Sequence, residues 1–312
     1  MFNILVYSDI HIRQSDIEEC NRVFDEIVML CEKYEVTQVI SLGDNFDNNR
    51  PNAIELNCMA RFIKKLNRPI ILIAAQSHES ETSLLSSVDV FGILADNVKI
   101  YKEYIDEDYV YCGHFTLTES SISYGATKTA EEFKKYKYVL LGHQHSLQAI
   151  GKNIMHLGAC RYIDFAESQD KAKVVLLIEN YKGTDETNHL LGLKSVYPMK
   201  DVYLDPKGEK VPQYASLAKS EEEFKAILDK LPPKTKVRVI FKDFDSYSKV
   251  INSLSTYKSK FVLFTEKKDF IMNSNLVLAK KEDISLRESL IKYLEENKVP
   301  EDIKNILLGE IK

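Results

Sequence analysis

Within the 312 residues there is no apolar run of about 18 residues, the length a membrane-crossing helix needs, so no such helix is expected. No CxxC pair occurs among the cysteines at 20, 31, 58, 112 and 160. Their odd number and scatter argue against a disulfide frame and for reduced thiols in an intracellular, cytoplasmic setting. There is no surplus of basic charge: 42 Lys and Arg stand against 47 Asp and Glu, a net charge of −5. That gives no support for nucleic-acid binding by bulk attraction, while leaving room for a local basic groove. No internal repeat and no low-complexity tract interrupts the chain. The opening residues MFNILVYSD lack the charged start and long apolar core of a secretory leader, and read as a strand.

What is present is ordinary for a globular protein: 44% hydrophobic and 29% charged residues, enough for a real core. The length suits two domains, or one large domain with an appendage. Phe2 to Tyr7 is apolar and β-branched, a buried strand. Apolar spacing predicts a helix over 15–34, a strand over Val36 to Leu42, a helix over Asn52 to Leu66 and a strand over Pro69 to Ala74. This β-α-β-α-β alternation argues for a layered α/β domain with crossover helices. A Ser/Thr-rich piece, Ser77 to Ser87, follows. Short strands are then expected at Val98–Tyr101, Tyr109–Cys112, Tyr138–Leu141, Ile154–Leu157 and Val174–Ile178, with one helix at Thr129–Tyr136.

Around 180–215 the chain turns polar and carries Pro198, Pro206, Gly208 and Pro212, which suggests a domain boundary. From Ser220 the pattern restarts as helix (Glu221–Leu231), strand (Lys236–Phe241), helix (Ser246–Thr256) and strand (Phe261–Phe264). Ser220 and Glu223 fit a capping box. The fold class expected is therefore α/β: a two-sheet β-sandwich flanked by helices, then a small α/β cap and a C-terminal helical tail. The domains run 1–205, 206–283 and 284–312.

Chemistry concentrates at the strand ends. Val39-Ile-Ser-Leu-Gly-Asp-Asn-Phe-Asp47 runs from an apolar strand into Gly43, Asp44 and Asp47. Glycine permits a tight turn there, and it delivers Asp44 at the carboxyl edge of a sheet, where open α/β folds place their sites. Five of the seven histidines (His11, His78, His114, His143, His145) also follow expected strands, as does Asp9. In an extended segment Asp-x-His and His-x-His put two donors on one face. Aspartate and imidazole together suit Mn, Fe or Zn, and Asp44 is the natural bridge between two ions. His156 and His189 lack this context and read as structural.

Asp9-Ile-His11, Gly43-Asp-Asn-Phe-Asp47, Ser77-His78-Glu79, Gly113-His114 and Gly142-His-Gln-His145 resemble, in order and spacing, the calcineurin-like metallophosphoesterase signature over about residues 1–180. Within that superfamily, Gly-Asp-x-Phe-Asp and Leu157-Gly-Ala-Cys-Arg-Tyr-Ile-Asp-Phe-Ala-Glu167 are similar to SbcD-type nuclease subunits of DNA double-strand-break repair. The resemblance implies a nuclease domain, a DNA-binding cap and an ATPase-binding tail. It implies two divalent ions, with manganese the metal expected. One ion would be held by Asp9, His11, Asp44 and His145, the other by Asp44, the residue at 77, His114 and His143. It makes His78 the group that protonates the leaving oxygen. DNA and an SbcC-type, SMC-like ATPase are the implied partners, in a homodimeric assembly away from membranes.

One position departs from the family pattern. Where the family reads Gly-Asn-His, this chain reads Gln76-Ser77-His78, and a serine hydroxyl is a poorer ligand than an Asn carbonyl. Two other readings follow: a metallophosphoesterase acting on nucleotides or phosphoproteins, and a catalytically weak subunit that binds DNA ends. In the tail, Leu286, Leu290, Ile291 and Leu294, then Ile303, Ile306 and Leu307, have the spacing of a helix laid in a partner's groove.

Overall fold

The computed structural model describes residues 2–75, 80–82, 85–204, 212–213, 215–241 and 244–268. The expectations for Ser77, His78 and the tail 284–312 lie outside these residues.

Two sheets pack face to face. The first has six strands in the order Thr187–Gly192, Val174–Glu179, Asn3–Tyr7, Val36–Ser41, Ile70–Ile73 and Val98–Tyr101. The last four are parallel; Val174–Glu179 runs antiparallel beside them, and Thr187–Gly192 runs antiparallel to it in turn. The parallel strands read as continuous apolar runs because both faces are covered. On one face Leu5, Tyr7, Val39 and Leu72 meet Phe24, Ile27, Met59 and Phe62 of the helices Ile17–Lys33 and Ala53–Leu66. On the other, Ile4, Val6, Ile40, Leu42 and Ile71 meet Val110, Cys112 and Leu140 of the second sheet. That second sheet orders Gln148–Ile150, Ile154–His156, Tyr138–Gly142, Val110–His114 and Tyr104–Asp106.

The crossover after Val36–Ser41 is set locally. Asn52 accepts the backbone N–H groups of Ile54 and Glu55, and the Glu55 carboxylate returns to the Asn52 N–H, a complete capping box. The same helix ends at Asn67 with φ +46°, a left-handed stop that Asn tolerates. Glu55 also accepts the Gln14 N–H at 2.8 Å, tying this helix to the loop after the first strand.

Four expectations are corrected. The segment Thr129–Tyr136 is not an α-helix; only Ala130–Phe133 forms a 3-10 turn. The polar stretch 180–215 contains two strands, Thr187–Gly192 and Met199–Leu204. Their Thr, Asn, His and Lys residues hide the strand pattern, because Thr187–Gly192 lies at the exposed edge of its sheet. The strand expected at Phe261–Phe264 runs Leu263–Lys268, since the helix before it continues from Phe244 to Lys260. The Ser220 capping box is half formed. Ser220 caps the Glu223 N–H at 3.2 Å, but the Glu223 carboxylate takes the Lys219 N–H instead.

A third sheet, wholly parallel, orders Ser216–Ala218, Met199–Leu204, Lys236–Phe241 and Leu263–Lys268. Phe224 and Leu228 of Glu221–Lys230, and Val250, Leu254 and Tyr257 of Phe244–Lys260, close its core. The boundary expected between 205 and 206 thus falls directly after Met199–Leu204, a strand of this third sheet. Among the described residues no helix is long and apolar enough to cross a membrane.

Candidate metal centre

Stacking the sheets brings their strand ends to one rim. Asp9 and His11 follow the strand Asn3–Tyr7, and Asp44 follows Val36–Ser41. His114 ends Val110–His114, and His143 and His145 follow Tyr138–Gly142. Asp9, His11 and Asp44 are buried, at 0, 3 and 1% exposure, so the carboxylates are held away from water rather than solvated. Asp9, His11, Asp44 and His143 all have positive φ, at +50°, +46°, +46° and +79°. For residues with a Cβ this region costs roughly 1–2 kcal/mol each, and such strain persists where the surroundings over-determine it, typically at functional sites. Here the surroundings are visible: the N–H groups of Asp9, His11 and Ile12 donate to the carbonyls of Gly43, Asp44 and Asn45 at 3.1, 3.0 and 2.8 Å. Two strand-end loops are thereby zipped together.

The donor atoms form two clusters. Asp9, His11 and His145 make one, and Asp44, His114 and His143 the other. Between them lies the Asp44 carboxylate. Its Oδ2 is 3.6 Å from His11 Nε2 and 3.3 Å from His114 Nε2. Thus the structure gathers Asp9, His11, Asp44, His114, His143 and His145 around one point. A third group, His145, Asp164 and Glu167, shares His145 with the first.

Hydrogen-bond partners fix the tautomers. Glu167 accepts from His145 Nδ1 at 3.0 Å, and Asp47 lies 3.4 Å from His11 Nδ1. Each Nδ1 therefore carries the hydrogen, which leaves both Nε2 atoms as lone pairs. Those two atoms face one another at 3.1 Å beside Asp9. His114 Nδ1 likewise donates to the Leu42 carbonyl at 2.8 Å, turning its buried Nε2 on the Asp44 carboxylate. Lone pairs converging on one another and on carboxylates repel unless a cation lies among them. The donor set therefore fits divalent ions of the Mn, Fe or Zn type. Without one, a proton takes that place: burial works against a charge on His114, but the Asp44 carboxylate outweighs it and raises the pKa to about 9. Burial also opposes charge on His145, and Glu167 more than offsets it, leaving the pKa raised.

Close packing shapes this rim. A Cβ at Gly43, where φ is +104°, would lie 2.6 Å from His114 Nδ1. A Cβ at Gly142 would lie 2.6 Å from the Leu42 carbonyl oxygen. Both glycines let one sheet's loop approach the other's.

Sequence reasoning passed over three contributors. Glu167 orients His145 and accepts a hydrogen bond from the buried Lys173 ammonium. Its signals were its place at the end of the run Leu157–Glu167 and the capping spacing Asp164-x-x-Glu167, which does form. Arg161, wholly buried, donates to the carbonyls of Ile10 and His11, both at 2.6 Å. His156, read as structural, supports the turn before His143. Its Nδ1 lies 3.3 Å from the Gly142 carbonyl oxygen and its Nε2 2.8 Å from Ser120 Oγ. His189 stands apart on the exposed edge strand, 3.1 Å from Glu179.

A cavity of about 700 Å³ opens beside the second cluster, lined by His114, His143, Phe115, Tyr124, Lys102 and Lys128 among others. Lys128 pairs with Glu103 at 2.6 Å and lies 4.1 Å from the centre of the Phe115 ring.

A sandwich of mixed sheets flanked by helices, with Asp/His clusters at its strand ends, is the architecture of metal-dependent phosphoesterases. The profile of the calcineurin-like phosphoesterases matches residues 2–147, the portion that carries the two Asp/His clusters. No curated protein matches the chain. One similar solved structure is described as the Pseudomonas putida nuclease MPE, at 16% identity and a TM-score of 0.31. The match covers 49% of this chain and spans 66% of that one.

Proposed function

We propose that the protein is a manganese-dependent DNA nuclease subunit that hydrolyses phosphodiester bonds. The observation that carries the hydrolytic part is the position of Asp44, one carboxylate 3.6 Å from a histidine of one cluster and 3.3 Å from a histidine of the other. Divalent ions held there would supply a hydroxide at neutral pH and neutralise charge on the phosphoryl oxygens. The chain's own residues supply the rest. Asp44 serves both ions; Asp9, His11 and His145 complete one set, and His114, His143 and the residue at 77 the other. His78 is the group proposed to protonate the leaving oxygen.

Support for a nucleic-acid substrate comes from the cavity wall. Lys102 offers positive charge beside the aromatic rings of Phe115 and Tyr124, and Lys128, paired with Glu103, lies over Phe115, a combination that suits a phosphate backbone and its bases. The resemblance of Gly43–Asp47 and Leu157–Glu167 to SbcD-type subunits supports the DNA-repair assignment. With it come an SMC-like ATPase partner, docked through 284–312, and a homodimeric assembly.

The test is direct. Purified protein, titrated with manganese, should bind two ions and cleave both bis(p-nitrophenyl) phosphate and DNA. Asp44→Ala should lose both ions and all cleavage. Wild-type protein that cleaves nucleotides or phosphopeptides but never DNA would move the assignment to a different phosphoesterase. Two bound ions without cleavage of any substrate would favour the weak end-binding subunit, to which Ser77 points.

A further inference from the structure

We propose that the third sheet positions the first metal cluster through Lys236 and Arg161, so that these are positioning residues for the Asp9–His11 arm. This rests on the reading of Asp9, His11 and His145 as metal ligands.

The path is continuous. Lys236 begins the strand Lys236–Phe241 of the third sheet, yet its side chain is 1% exposed. Its ammonium donates to Glu19 Oε2 at 2.7 Å and to the Tyr162 carbonyl at 2.7 Å. Glu19, on the first helix, is shared: its Oε2 also accepts from Arg161 at 3.2 Å, while its Oε1 accepts the Tyr197 N–H at 2.7 Å. Arg161 reaches Asp16 at 2.8 Å as well. Its remaining donors hold the Ile10 and His11 carbonyls. Those carbonyls belong to the loop in which Asp9 and His11 sit at positive φ, a shape that needs an external hold.

Charge makes the hold depend on Lys236. Three cations and two carboxylates meet here: Lys236 and Arg161 on Glu19, and Arg161 and Arg13 on Asp16. A buried ion pair that loses one partner leaves the other uncompensated. Remove Lys236 and, among the described residues, the buried Glu19 keeps Arg161 as its one cation, beside the Tyr197 N–H. The guanidinium is then drawn toward Glu19 and away from the two carbonyls. A planar fork that serves carbonyls and carboxylates together is a role that lysine cannot take over from arginine.

A second link runs parallel to it. Arg238, on the same strand as Lys236, holds Asp201 with two contacts of 2.8 Å. Asp201 in turn accepts from Ser168, the neighbour of Glu167, which orients His145. Both histidines of the first cluster are thus braced from the third sheet. No comparable link is found to His114 or His143 among the described residues.

The experiment isolates one cluster at a time in the full chain. In a His114→Ala background the first cluster remains; in a His11→Ala background the second remains. Lys236→Met and Arg161→Lys are introduced into each, and manganese affinity is read by calorimetry together with the thermal midpoint. Lost support of a ligand commonly changes affinity ~10–100-fold. A loss of that order is expected for the first cluster, with a clearly smaller one at the second, which Asp9 joins through its bond to the His143 N–H. Lys236→Arg, which keeps the charge, should restore most of it. A merely structural role would lower the midpoint and weaken both clusters alike, and that result overturns the proposal. So does wild-type affinity in both Lys236→Met and Arg161→Lys. If Lys236→Met does not fold, Arg161→Lys, which keeps the charge balance, decides by the same criterion. If neither folds, the network is a folding element only and the proposal is overturned. A His114→Ala parent that binds no manganese overturns the metal-centre reading and this proposal with it. A parent that binds, with variants that bind equally well, overturns this proposal alone.

Discussion

The Asp9 carboxylate accepts the backbone N–H of His143 at 3.1 Å, so a side chain of the first cluster fixes the turn that presents a histidine of the second. The two clusters are therefore joined twice, once through this bond and once through Asp44. Ser8 donates to the other Asp9 oxygen, which holds the carboxylate in a single orientation.

Asp9 should accordingly behave differently under two substitutions. Asp9→Asn keeps an oxygen for the His143 N–H but loses the charge, and should weaken mainly the ion of the first cluster. Asp9→Ala removes the acceptor too and should weaken both, each by ~10–100-fold. Manganese calorimetry on the two variants checks this; identical profiles would show that the bond to His143 has no bearing on the second ion.

At Gly43 an alanine must adopt φ +104° with its Cβ 2.6 Å from His114 Nδ1. A non-glycine residue held in such a region costs about 1–3 kcal/mol before any clash is counted. Gly43→Ala is expected to lower the thermal midpoint and to displace His114, weakening the second cluster. An unchanged midpoint would mean that the turn relaxes freely.

Asp16 supplies a pH-dependent contribution away from the metal rim. Burial pushes its carboxyl up, but Arg161, Lys236 and Arg13 outweigh it and hold the pKa down at about 2, below the usual 3.8. A depressed carboxylate stabilises the fold above its unfolded pKa and loses that effect as pH falls through the folded one. The stability gap between wild type and Asp16→Asn should be full above pH 4 and fade toward pH 2. Partial exposure screens it to about 1 kcal/mol. Urea unfolding at several pH values measures the gap; one constant across this window would remove Asp16 from the network.

Ser77→Asn should tighten the second ion and raise cleavage at limiting manganese, by ~10–100-fold. The motivation is the sequence pattern, where Ser77 stands in place of a ligating Asn. Equal affinity and equal rate would show that position 77 contributes no ligand.

Deleting 284–312 should leave manganese-dependent hydrolysis of simple diesters intact while abolishing association with an SMC-like ATPase. A pull-down at full strength with the shortened chain would move that interface to the third sheet. An insoluble product would instead assign the segment to the core.

The rim was largely legible because its chemistry is written at strand ends. Asp9, His11, Asp44, His114, His143 and His145 each follow a short apolar run, and stacking two sheets is enough to gather them. The braces were not legible. Lys236 looks in sequence like any solvated cation, and Arg161, though within the run Leu157–Glu167, has nothing there to mark it as interior; in the structure it is buried against Ile10, His11, Asp16 and Glu19. Glu167 was quoted as part of a motif, but its hold on His145 depends on a turn that sequence spacing does not aim. The strands Thr187–Gly192 and Met199–Leu204 were missed for the opposite reason. Edge exposure in the first removes the alternation by which a half-buried strand is recognised. The second lies among prolines that read as a boundary.

The strand Asn3–Tyr7 sits between Val36–Ser41 and Val174–Glu179. Its first neighbour emerges from the ribosome within the same short stretch of synthesis, and its second only after residue 179. At ~5–20 residues per second, the interval from residue 101 to 179 lasts roughly 4–16 s. Through that interval the nascent chain presents Asn3–Tyr7 as a bare, apolar edge, the kind of template on which chains pair with one another. Synthesis of this protein should therefore pass through a window of dependence on holding chaperones, one that closes when Ile178 pairs with Ile4.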